Sequence, residues 1–67
     1  MSRNYHVVPS GSGWIVRLED AQQASSRHVM KEKAVQKAKD LAERKGVLVK
    51  IHNKSGMIAR TVGKSFV

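Results

Sequence analysis

The segment Lys31 to Lys45, KEKAVQKAKDLAERK, is the one stretch long and periodic enough to specify a helix, and everything around it must pack onto that helix. At 100° per residue Ala34, Val35, Ala38, Leu41 and Ala42 fall on one stripe, the pattern of a helix with one buried side. Three of the five are alanine, so the helix axis can approach closely whatever it covers. The run is rich in strong helix formers and is uninterrupted by Pro or Gly until Gly46, which suits a left-handed C-terminal cap. Arg44 and Lys45 complement the dipole at that end. The start is less sharply marked, because Met30 has no side-chain oxygen to cap with, and is expected between Val29 and Lys31.

The flanking segments are short and β-rich. Tyr5 to Val8 alternates, Pro9 to Gly13 has turn composition, and Trp14 to Leu18 alternates again, which predicts a hairpin. Period-two logic puts Tyr5 and Val7, and Trp14, Val16 and Leu18, toward the helix, with His6, Val8, Ile15 and Arg17 pointing away. Glu19 to Arg27 is polar and aperiodic and reads as the connection into the helix, with a short extra strand at Ala24 to Val29 as the alternative. Beyond Gly46, Val47, Val49 and Ile51 alternate with Leu48, Lys50 and His52. Asn53 to Gly56 supplies a turn, and Met57 to Val62 a final strand. With Asn53 opposite Gly56, Ile51 faces Ile58 and both are buried, while Lys50, His52, Met57 and Ala59 turn to the other side.

The expected fold is a single α+β domain over residues 1–67, a ββαββ two-layer sandwich. Its helix lies on one face of an antiparallel sheet of order 2-1-3-4, its strands numbered along the chain. Residues 1–4 and 63–67 are expected to be flexible ends, with Phe66 either folded back on the sheet or free. The uncovered sheet face would carry His6, Val8, Ile15, Arg17, Lys50, His52, Met57 and Ala59. That mixture of apolar and basic groups suits a contact surface.

At 67 residues the chain is near the size at which one core only just offsets chain entropy. It has no cysteine, hence neither disulfide nor thiolate metal site. No apolar run approaches the roughly 18 residues of a membrane span, and the N-terminus lacks the apolar core of a signal peptide, so a cytoplasmic protein is expected. The compositional outlier is a net charge of +8. From Gly46 onward there are Lys50, Lys54, Arg60 and Lys64 and no acid at all. Such a balance favours polyanions, nucleic acid or an acidic protein surface.

Three histidines offer the one route to metal or acid–base chemistry. His6 and His52 would be neighbours on the open face if their strands adjoin, and two imidazoles can hold zinc given one or two further ligands. No Asp or Glu falls on the strands expected to line that face, so neither metal nor cofactor is expected. Ser10, Ser12 and Ser55 lie in turns without an acid placed to orient a histidine as in a catalytic triad. The glycines of PSGSGW resemble a phosphate loop, but a strand follows where that loop needs a helix, so the segment reads as a hairpin turn. Trp14 reads as an anchor of the core.

The basic surface remains. Lys33, Lys37 and Arg44 lie along one helix flank with Asp40 among them, while Glu32, Glu43 and Lys39 lie on the other. Lys50, Lys54, Arg60 and Lys64 form a second basic group, with Arg17 and His52 on the open face. Phosphate contacts by such residues give salt-sensitive affinity without sequence preference. The few aromatic residues argue against base stacking.

Taken together, Tyr5-His-Val-Val-Pro9, Gly13-Trp-Ile-Val16, Ser25-Ser-Arg-His28, the Ala-rich helix, Ile51-His52 and Gly56-Met-Ile58 resemble the small bacterial and phage family called domain of unknown function 2188. The likeness runs from Tyr5 to Thr61. It implies a compact α+β domain and almost nothing about function. Met30 stands where that family usually has Thr, and Ser55 where it usually has Asp.

The functional expectation is therefore a small, non-enzymatic binding module. It would contact DNA or RNA, without sequence preference, through the open sheet face and the C-terminal hairpin. The alternative is a protein-interaction module that uses the same face toward itself or an acidic protein.

Overall fold

The structure, a computed structural model, describes residues 3–63; Lys64 and Phe66 lie outside the described residues. Its elements are β1 (Tyr5–Ser10), β2 (Gly13–Leu18), β3 (Ser26–His28), α1 (Lys31–Lys45), β4 (Val49–His52) and β5 (Ile58–Val62). One sheet of order β3-β2-β1-β4-β5 carries the helix on one face. The α+β class and the helix bounds agree with the sequence reading.

The sheet differs from expectation first in direction: it is mixed rather than antiparallel, because β1 and β4 run parallel. The cause is the three-residue strand β3, the alternative that the sequence left open. A turn reverses the chain after β2, with Ala21 N–H donating to the Leu18 carbonyl at 3.0 Å and Asp20 in the left-handed region at φ 67°. β3 then pairs antiparallel with β2 before the helix begins. Each connection turns the chain around, so one extra strand inverts the direction in which β4 meets β1. Apart from that added edge strand, the neighbours of the four longer strands are the expected ones.

Pairing fixes the faces. Tyr5, Val7, Val16, Val49 and Ile51 point at the helix and are buried, as are Ala34, Ala38, Ala42 and Val47. The three alanines are no more than 3% exposed, which places the small-residue stripe directly on the valines of the sheet. Val35 and Leu41 flank that stripe and are half-buried. Trp14 sits at the margin of the core rather than at its centre, with Lys31 Nζ 5.1 Å from its ring centroid.

Local chemistry fixes the ends of these elements. Gly11 takes φ 59° in the two-residue turn that closes β1 on β2. Gly13 faces the backbone of β3 so closely that a Cβ there would lie 2.5 Å from the His28 carbonyl oxygen. The helix stops at Gly46, left-handed at φ 69°, with Val47 N–H bonded to the Ala42 carbonyl at 3.0 Å. At the other end Met30 has extended, cap-like dihedrals and makes no side-chain cap bond.

The last hairpin departs from the expected register. Asn53 N–H bonds to the Met57 carbonyl at 2.9 Å, so the turn holds one residue more than Asn53 opposite Gly56 would allow. A bulge follows, with His52 opposite Ile58 but Ile51 opposite Arg60. Ile58 therefore leaves the core and is 50% exposed, and Arg60 turns to the helix side. Ala59 turns with it, since both line a groove between α1 and β5.

Candidate functional site

The open face is organised by a row of residues running across four strands. Arg17 on β2 is paired with His6 on β1, His6 with Lys50 on β4, and Lys50 with Thr61 on β5. Paired residues share a face and adjacent strands lie about 4.8 Å apart, so Arg17 and Lys50 flank His6 on either side. A second row brings Arg27, Ile15 and Val8 together.

Across these rows runs a chain of side-chain hydrogen bonds. His6 Nε2 lies 3.0 Å from Glu19 Oε2, His6 Nδ1 lies 2.8 Å from His52 Nε2, and His52 Nδ1 lies 3.0 Å from the Gly56 carbonyl oxygen. The two rings are tilted by 38° with centroids 5.1 Å apart. The hydrogen bond from His6 holds the Glu19 carboxyl below the usual carboxylate range. A backbone hydrogen bond at Asn4 and the charges of His6 and Lys50 act the same way, against partial desolvation. All four ring nitrogens are thus engaged, and none can take a substrate proton or a metal ion without breaking a bond already made. Among the described residues no group of three or more His, Cys, Asp or Glu is placed to hold a metal.

The turn below His52 is tied by Asn53, whose Oδ1 accepts from Ser55 N–H at 3.0 Å, Ser55 Oγ–H at 2.6 Å and Met57 N–H at 3.2 Å. Gly56 takes φ 91° there. The turn therefore presents the Gly56 carbonyl to His52 with little freedom.

The structure divides the residues expected to form one basic surface. Arg17, Lys50 and His52 share the open face, and Lys54 is exposed in the adjoining turn. Arg60 does not join them, because the bulge places it opposite Ile51 on the helix side. There it lines the groove of about 660 Å³ with Lys31, Lys33, Lys39 and Glu32 over a floor of Val35, Ile51 and Ala59. Lys37 is exposed on α1, and Arg44 is ion-paired with Asp40 at 3.4 Å. Ala59 likewise leaves the open face, whereas Met57 is 68% exposed at the end of the hairpin.

His6 and His52 meet as neighbouring strands imply. What sequence reasoning missed is Glu19, the acid on this face. The signal was available: Glu19 continues the alternation of Arg17 one step past the end of β2, on the same side.

No solved structure matches the chain. The uncharacterized protein YdaT of Bacillus subtilis (strain 168) is 32% identical over 62 residues, covering 92% of this chain and 41% of that relative. The chain thus spans less than half the length of the curated relative it matches. Residues 5–61 match the family described as an uncharacterized protein conserved in bacteria, DUF2188, and the chain belongs to that family.

Proposed function

We propose that this domain is a small, non-enzymatic binding module whose open sheet face holds the sugar–phosphate backbone of duplex nucleic acid without reading its sequence. The observation that carries this reading is the row Arg17, His6, Lys50, with Lys54 beyond it in the hairpin turn. Among the described residues Glu19 is the one acid bonded into that row; Asp20 is exposed in the turn after β2, and Glu32, Asp40 and Glu43 lie on α1, across the sheet. Tyr5 is buried and Trp14 packs at the helix side, so the aromatic rings of the strands are not offered for stacking. Contacts to phosphate rather than to splayed bases fit that arrangement.

Duplex affinity measured by fluorescence anisotropy between 50 and 200 mM salt tests the reading. Each lost phosphate contact lowers the steepness of log K against log salt by about 0.9. Arg17→Glu with Lys50→Glu should abolish binding or flatten the dependence by about 2. Lys33→Glu with Arg60→Glu, on the helix side, should leave most of it. Equal loss from both pairs, or no binding by the unaltered chain, would overturn the assignment to the open face.

A second reading rests on Met57 and Ile58, which are 68% and 50% exposed beside His52. With Val8 and Ile15 they give the same face an apolar side, suited to a second copy or to an acidic protein. Apolar association persists or tightens with added salt, so the same titration separates the two.

A further inference from the structure

The three contacts of the histidine chain fix how many protons it holds. The Gly56 carbonyl can only accept, so His52 Nδ1, 3.0 Å away, carries a hydrogen. The Glu19 carboxylate can only accept, so His6 Nε2, 3.0 Å away, carries another. Between His6 Nδ1 and His52 Nε2, 2.8 Å apart, there is room for one hydrogen and need of one. Three N–H groups on two rings is one more than two neutral imidazoles possess. With all three contacts made at once, the pair holds a single positive charge, offset by Glu19, wherever along the His6–His52 contact the shared hydrogen sits.

We propose that His6 and His52 form a one-proton latch, which joins the exit of β2 through β1 and β4 to the β4–β5 turn. It is closed with one extra proton on the pair and open with two. A fourth hydrogen sets two N–H groups facing each other at 2.8 Å, which expels His52, the ring held by a carbonyl rather than by a carboxylate, from the chain. Loss of the third leaves one of the three contacts with two acceptors and no hydrogen. The charges around the pair bias it toward the intermediate count. Glu19 favours the first extra proton, whereas Arg17 on β2 and Lys50 on β4, both beside His6, oppose the second. Arg27 on β3 adds to that opposition from the next row, and on β5 Thr61 and Ile58 bring no charge to this face. The latch does not depend on what the face binds.

Long-range nitrogen–proton NMR of the imidazoles in the full chain, without nucleic acid, tests this over the range of about pH 8 to 5 in which histidines change charge. The expected result is an interval in which three of the four nitrogens of the pair carry hydrogen and both rings report one coupled state. The fourth hydrogen should then arrive together with about tenfold faster amide exchange at Gly56 and Met57, as the turn loses its tie to His52. His6→Asn should leave His52 titrating in one step with no link to the turn. Independent single-step titration of the two rings in the unaltered chain would overturn the latch. So would a fourth hydrogen that leaves turn exchange unchanged, whether or not His6→Asn folds.

Discussion

At the scale of single residues, the open face is crossed by hydrogen bonds from Glu19 through His6 and His52 to the Gly56 carbonyl. Glu19 has its carboxyl held below the ordinary value of 4.5, chiefly by the His6 hydrogen bond. A group with a lowered native value binds its proton more weakly when folded. Its stabilisation is therefore fully present above about pH 4.5 and is lost as pH falls through the lowered value. Urea midpoints measured from pH 6 down should fall through that window, and Glu19→Gln should flatten the fall. A slope the same in both proteins would show that Glu19 does not couple to folding. This residue also shows where reading the chain stopped short. Alternation placed His6, Arg17, Lys50 and His52 correctly, because each falls within a strand. Glu19 lies one residue past β2, where the pattern was treated as finished.

Among elements, the helix was the most legible because its signals agree: an apolar stripe, good formers throughout and a glycine at the end. Its one weak point is Met30. This residue occupies the cap with φ −104° and ψ 138°, the geometry a capping Thr or Ser would use, yet it offers no acceptor and is 52% exposed. Met30→Thr should therefore stabilise by about 0.5 to 2 kcal/mol, read as a higher thermal midpoint of roughly 4 to 8 °C per kcal/mol. No change would mean that water already satisfies the first turn. The strands were legible where residues alternate and illegible where geometry came from turns. β3 has only Ser26, Arg27 and His28, so no hydrophobic periodicity could announce it, yet its presence decides whether β4 runs with or against β1. The bulge at Ile51 and His52 is similar, since one extra turn residue moves Ile58 out of the core and Arg60 around to the helix side.

For the whole molecule, whose formal net charge is +8, the sheet separates two basic regions, and it does so with very little core. The layer between α1 and the sheet is filled by three alanines against valines and Ile51, so stability depends on a close approach rather than on large side chains. That gives an ordering of core substitutions which a helix held by bulky anchors would not. Ile51 is 3% exposed and forms the floor between α1 and β5, so Ile51→Ala should cost about 2 to 5 kcal/mol. Leu41 looks the larger loss in sequence but is half-buried at the edge of the stripe. Leu41→Ala should therefore cost less, about 1 to 2 kcal/mol. Ala38 is fully buried, and enlarging it to Leu forces the helix away from Val7 and Val16. Although it adds apolar surface, Ala38→Leu should destabilise by about 1 to 3 kcal/mol or more. In a domain whose total stability is of order 5 kcal/mol, the first and third changes bring the chain close to unfolding at room temperature. Urea melts of the three variants decide it: if Ala38→Leu is neutral while Leu41→Ala is the most damaging, the helix does not sit on its alanine stripe, and the face assignments on both sides of the sheet fall with it.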